Sequence, residues 1–227
     1  MRGAPMMTAE DHARVSAAVR AAEAATSGEI VTIVTQASDR YLDVALWWSI
    51  LAAIGALGVL AAAPDTVTDI AGRLSGGWVI EWSPRALFEL AMAVAVLSFA
   101  AVRLLLEWRP ARLALTPGII KAARVRGRAI RYFRVGAERR TVGRTGILIY
   151  LSMDEHRAEI VADEAIHSLV PDEMWGEAMA HLVAEVREAR VAEGMIAAIR
   201  DVGRILAEHF PRAADDSNEL PDRLIEL

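Results

Sequence analysis

The run "ADEAIH", residues 162–167, sets Glu164 and His167 three positions apart, with Asp163 beside them and Asp154 upstream in "MDEH". On a helix that spacing brings a carboxylate and an imidazole to one face, where they can ligate a divalent cation. The same pattern is common on solvated surfaces, where it caps a helix start, and capping is the plainer use here. Glu177, His181, Glu185 and Glu188 form a second acidic and histidine row. It lies opposite an apolar stripe on the same stretch and is therefore expected to face solvent. Glu29 stands at the entrance of a strand, with a strand-edge charge as its plain role, and His209 suits the C-terminal end of a helix. His12 and His156 read as exposed.

Most hydrolytic machinery is missing from the composition. Phosphate-ester hydrolysis needs a nucleophile in an electropositive cradle, or a metal cluster. The chain has no cysteine, no Asp-x-Asp, no Gly-x-Ser-x-Gly, no His-x-His and no His-Glu-x-x-His. The absence of cysteine also removes disulfides and thiolate metal sites.

The basic residues are more informative than the acids. Residues 109–144 hold eleven Lys or Arg against one acid, Glu138, a local charge of +10; the remaining chain carries −15, and the net is −5. Within that segment Lys121, Arg124, Arg128 and Arg131 fall at i, i+3, i+7 and i+10, which makes one stripe on a helix. A stripe of this kind serves either as a solvated face or, one short linker after a membrane span, as a contact for anionic lipid headgroups. No base-reading motif accompanies the arginines, so nucleic acid is not expected as a partner. Lys121 is the only lysine among 25 basic residues, a bias that reads as high-GC bacterial coding.

Two apolar stretches position this segment. Residues 44–63 contain no charge and, at 1.5 Å per residue, reach about 30 Å, the thickness of a hydrocarbon core. Residues 86–106 are nearly as apolar, with Glu89 and Arg103 near the ends, where charges can snorkel to the interface. Trp47, Trp48, Trp78, Trp82 and Trp108 lie at or near the ends of these stretches, as an aromatic belt would. Between the stretches stand two arginines and three acids, and after the second the chain is dense in arginine. The positive-inside rule then places the loop outside and both termini in the cytoplasm. A signal peptide is not expected, because a largely polar region of 43 residues precedes the first stretch, which is also too long for a signal's apolar segment.

The remaining chain reads as one α/β sandwich. Thr8 and Asp11 have the spacing of a capping box for an alanine-rich helix to Thr26, which Ser27 and Gly28 break before the strand "EIVTIVT". Thr116 and Pro117 supply an N-cap and first-turn proline for a helix to about Val135. "GILIYLS" and "RAEIVA" make an antiparallel hairpin about "MDEH", Asp163 starts a short helical turn, and Asp172 and Glu173 begin a long helix with Met174, Ala178, Met179, Leu182, Val183 and Val186 on its apolar face. A break near Glu193 and Gly194 leads to a last helix carrying Met195, Ile199, Val202 and Leu206 and ending at Phe210 and Pro211. The tail is a loose segment that can dock. The expected organisation is residues 1–36 as the first helix and strand, 44–63 and 86–108 as transmembrane helices around an extracytoplasmic loop 64–85, 109–212 as the rest of the sandwich, and 213–227 as the tail. The hairpin is thus an insertion after the first strand, because residues 1–36 are too short to bury a core alone.

The ordered set "AEAATSGEIVTIV", "RTGILIYLSMDEHRAEIVADEAI", "VPDEMW" and a helix pair closing at "LAEHFP" and "NELPDRLIEL" resembles the TPM domain family, over residues 8–36 and about 117–227. That family includes a thylakoid protein reported as an acid phosphatase, a photosystem II repair factor and an acetylcholine-receptor auxiliary protein. The resemblance implies a TPM-like α/β sandwich and, as one activity, metal-dependent phosphatase-like hydrolysis. Many members follow the last hairpin strand with a turn of the form G-x-G-L-E associated with a divalent-cation region. This chain has "ADEAIH" there, so Asp163 would stand in without the glycines that shape the turn.

The expected protein is a bacterial inner-membrane protein with two spans, whose cytoplasmic TPM-like domain is a non-catalytic interaction or assembly module for a membrane partner. Its expected contacts are the bilayer, anionic headgroups along Lys121, Arg124, Arg128 and Arg131, and another membrane protein. No cofactor is expected, apart from a divalent cation that Asp163, Glu164 and His167 could take. The competing expectation is a metal-dependent acid phosphatase-like hydrolase.

Overall fold

A computed structural model describes residues 7–74, 83–136, 145–212 and 222–227. The chain divides into two compact units, one of residues 1–39 and 118–227 and one of residues 40–117, so the second is an insertion in the first.

The first unit is a mixed sheet with helices on both faces. Helix α1 (Ala9–Glu23) starts at Thr8, whose side chain accepts from Asp11 N while the Asp11 carboxylate accepts from Thr8 N, closing the expected capping box. Strand β1 (Glu29–Thr35) is followed in this unit by α6 (Gly118–Gly136), the hairpin β2 (Gly146–Ser152) and β3 (Arg157–Ala162), the single turn α7 (Glu164–His167), α8 (Asp172–Arg187), α9 (Val191–His209) and β4 (Leu224–Glu226). The strand order is β3-β2-β1-β4, with β1 parallel to both β2 and β4, and β2 antiparallel to β3.

Alternation along the central strands makes two cores. Ile30 and Val34 of β1 and Ile147, Ile149 and Leu151 of β2 join Val15 and Val19 of α1, Leu182 of α8 and Met195, Ile199, Val202 and Leu206 of α9. Ile33, Leu148 and Tyr150 point the other way and meet Val125, Ala129 and Phe133 of α6. Because both faces of β2 are covered, all seven of its residues are buried, which is why it reads as a continuous apolar run.

Three local expectations change. Ala189, at φ 59°, turns the chain between α8 and α9, so the break falls at Glu188–Arg190 and Gly194 lies inside α9. A Cβ on Gly194 would stand 2.9 Å from the Leu182 carbonyl oxygen, so this glycine serves close packing of α9 on α8. Thr116 does not cap α6: its hydroxyl donates to Arg112 O, 2.8 Å away, and α6 begins at Gly118. The tail, of which residues 213–221 lie outside the described residues, returns as the parallel edge strand β4, tied by Leu227 N to Val34 O.

The second unit holds α2 (Leu42–Ala62), α3 (Pro64–Leu74), α4 (Pro84–Leu105) and α5 (Arg109–Leu115). Helices α2 and α4 pack on each other and are long and apolar enough to cross a membrane, with mean hydropathy 2.1 and 2.0. At 1.5 Å per residue they span about 31 and 33 Å. Only 17% of the most apolar window of α2 and none of that of α4 is buried, whereas a soluble core helix of this composition would be enclosed. Trp47 and Leu51 of α2 and Phe88, Met92 and Leu97 of α4 stand exposed. Part of the expected loop 64–85 is helical, as α3, and α5 is a further short helix that hydropathy alone does not single out. Trp78 and Trp82 of the expected belt lie outside the described residues.

Candidate functional site at the carboxyl ends of the parallel strands

In open sheets with parallel strands, ligands gather beyond the carboxyl ends of the strands. At that end of β1 and β2 four polar side chains are buried together: Ser38, Tyr150, Ser152 and Glu155. Ser38 Oγ lies 2.9 Å from Tyr150 Oη and donates to Ser152 Oγ at 2.8 Å; Ser152 Oγ donates to Glu155 Oε2 at 2.5 Å. Ser38 N donates to Glu155 Oε1 at 3.0 Å, so both carboxylate oxygens are engaged. Burial pushes the Tyr150 phenol up, and its bond to Ser38 opposes that. The β2–β3 turn is fastened to the extension of β1 by Met153 N to Thr35 O, Asp154 N to Gln36 O and Gln36 Nε2 to Asp154 Oδ1. His156 closes the turn at φ 50°.

Helix α6 brings part of the basic stripe here. Arg124 pairs with Asp39 at 3.3 Å, and Arg128 lies over the Tyr132 ring at 5.1 Å, which in turn packs against Tyr150 at 6.0 Å. Lys121 is half-buried and Arg131 is exposed, and neither has a partner among the described residues.

A serine donating to a carboxylate resembles an activated nucleophile. Ser152, however, is fully buried, and its carboxylate partner is also held by Ser38 N. In this state the network cross-links the strand ends. Sequence inspection missed it because Ser38 and Glu155 are 117 positions apart; the one available signal was polar residues at the ends of apolar strands.

The sequence-derived metal trio is at the other end of β2. Asp163 is buried, and its Oδ2 accepts Gly146 N at 2.9 Å, which ties the start of α7 to the start of β2. Glu164 and His167 are exposed. Asp154 is separated from Asp163 by the length of β3, about 20 Å at the rise of a strand. Among the described residues no three His, Asp or Glu side chains form a set that could hold a metal ion. In the row along α8, Glu177, His181 and Glu188 are exposed and Glu185 is half-buried. His181 Nδ1 bonds Asp201 Oδ2 at 2.6 Å and Glu185 accepts from Arg190 Nε at 2.6 Å.

A second unanticipated cluster adjoins the start of β1. Glu29 is buried, and Glu23 accepts Ile30 N at 2.7 Å through Oε1. Burial pushes the Glu23 carboxyl up to about 8; the Ile30 bond opposes this, and nearby Glu29 and Asp222 add to it. His12 Nε2 lies 2.9 Å from Glu226 Oε2, linking α1 to β4 rather than facing solvent alone.

The fold and these sites define a small α/β sandwich carrying an inserted pair of membrane-length helices. Residues 121–205 match the family model of the TPM domain. The fold is similar to the NMR structure of BA42 protein from the psychrophilic bacterium Bizionia argentinensis, with a TM-score of 0.55 over 97% of this chain and 95% of that one, at 18% identity. No curated protein sequence matches the chain. The match to the TPM domain runs from α6 into α9, within the first unit.

Proposed function

We propose that this protein is a bacterial inner-membrane protein whose cytoplasmic TPM domain is a non-catalytic interaction or assembly module for a membrane partner. The observation that carries the reading is the insertion itself. The sandwich is interrupted after β1 by two membrane-length helices that leave large apolar side chains exposed. Trp47, Trp48 and Trp108 near their ends suit the headgroup region, and the arginine-rich segment after α4 favours a cytoplasmic domain. Lys121 and Arg131 are the cations of the stripe available to anionic headgroups. The engagement of both serines and of Glu155 in one buried network supports an assembly role over hydrolysis.

The chain has no cysteine, so single cysteines at Asp69 and Ser168 can be labelled with an impermeant thiol reagent in intact cells. Labelling at 69 alone is expected, and labelling at 168 alone would place the domain outside. Photo-crosslinking from Leu97 in α4 should then capture a membrane protein. Capture of lipid only, together with phosphate-ester hydrolysis by the purified protein, would replace this reading with an enzymatic one.

A further inference from the structure

Strand β3 is an edge of the sheet. The bond from Asp163 N to Gly146 O sets the alternation of the β2–β3 ladder, so Arg157, Glu159 and Val161 bond to β2. The N–H and C=O groups of Ala158, Ile160 and Ala162 therefore point away from the sheet, and none has a partner among the described residues. Such an edge is a template for another strand.

A groove of about 430 Å³ runs along this edge. Arg126 and Ile130 of α6 form one wall and Trp175, Gly176 and Met179 of α8 the other, with His167 contributing from α7. The α8 wall is uncharged at these positions, and a Cβ on Gly176 would meet nothing within 4 Å, so the wall stands open there. The α6 wall is cationic: the helix has six basic residues and no acid. Arg126 is 72% exposed and stands 4.0 Å from the Glu159 carboxylate, close to the edge.

These features select an occupant. A second copy joined edge to edge about Ile160 would run two acid-free α6 helices side by side on one face of the joined sheet, where their charges repel. An extended segment with acids toward α6 and apolar residues toward Trp175 and Met179 is complementary on both walls. We propose that the β3 edge and its groove dock an extended, acid-bearing segment of a partner protein, which joins the sheet as a fifth strand. This names the chemistry of the partner and rests on the interaction-module reading.

The test uses the full-length protein in detergent and two capped eight-residue peptides, one alternating isoleucine with glutamate and one alternating isoleucine with lysine. The glutamate peptide is expected to bind about tenfold more tightly at low salt and to slow amide exchange at Ala158, Ile160 and Ala162. Arg126→Glu should reverse the preference. Ile160→Pro removes an outward N–H and should abolish binding; Gly176→Leu, which narrows the groove while favouring the helix, should weaken it without impairing folding. Binding of neither peptide, or equal binding unaffected by Arg126→Glu and Gly176→Leu, overturns the proposal. So does protection of the same three amides by self-association without peptide, which would make the occupant a second copy. If Leu97 crosslinks to a membrane protein while the groove is inert, the docking site fails alone. If the groove binds as expected and no membrane protein is captured, the membrane-partner reading fails and the docking site stands.

Discussion

Replacing Glu23 by glutamine tests the buried acid cluster at the start of β1. Ionised Glu23 would share this place with Glu29 and Asp222, and its carboxyl is pushed from 4.5 up to about 8, chiefly by burial. Below pH 4.5 the group is protonated in both folded and unfolded chains and adds no pH dependence. Between pH 4.5 and about 8 the unfolded chain releases the proton while the folded chain keeps it, so stability falls as pH rises; above about 8 the loss is complete. At about 1.4 kcal/mol for each tenfold change in proton affinity, the ceiling is roughly 5 kcal/mol. Glu23 as a whole is only half-buried, so nearby solvent screens its interactions with Glu29 and Asp222, which reduces the expected effect to about 1–2 kcal/mol. Glutamine keeps an oxygen for Ile30 N and offers Asp222 a donor, as the protonated acid does. Glu23→Gln should therefore match the wild type at pH 4 and exceed it at pH 8.5 by roughly 2–8 °C in Tm. The assay is thermal unfolding of full-length protein in one detergent from pH 4 to 9. The His12–Glu226 pair is common to both proteins and drops out of the difference. Parallel pH profiles, or a less stable variant at pH 8.5, would refute the reasoning.

Three further outcomes follow from the same geometry. Asp163→Ala removes the acceptor for buried Gly146 N and should lower stability by about 1–3 kcal/mol, by the same amount in denaturant titrations with and without added calcium, magnesium or manganese; a larger loss with a cation present would support a metal site at Asp163. Gly203→Ala would put a Cβ 2.6 Å from the Ala22 Cβ where α1 meets α9, and urea unfolding should report a loss of about 1–3 kcal/mol. Leu97→Arg places a charge well inside α4, an insertion penalty of about 2.5–3.5 kcal/mol that should raise the fraction released by alkaline carbonate from membranes; an unchanged fraction counts against spanning.

Local and periodic signals were enough to place most elements. Glu29–Thr35, Gly146–Ser152 and Arg157–Ala162 occupy the residues expected of them: the first two are buried strands with unbroken β-branched or apolar runs, the third is a half-buried edge strand, and a turn bounds each. The capping box at Thr8 and Asp11 is a contact across three positions and needs no tertiary partner to be recognised. The two membrane-length helices are legible for a similar reason, since spanning requires length and apolarity whatever they pack against. What depended on distant partners was hidden. Thr35 pairs with Ser152 across the inserted unit that holds α2 to α5, and only that pairing brings Ser38 to Glu155 and closes the buried network. The bond from Gly146 N to Asp163 was likewise hidden, because only the β2–β3 register brings the two residues together. Gly194 looks like a helix break until the Leu182 carbonyl is set against it. The tail became a strand because β1 had an open edge beside Leu224–Glu226, and an open edge is a property of the assembled sheet rather than of any segment in it.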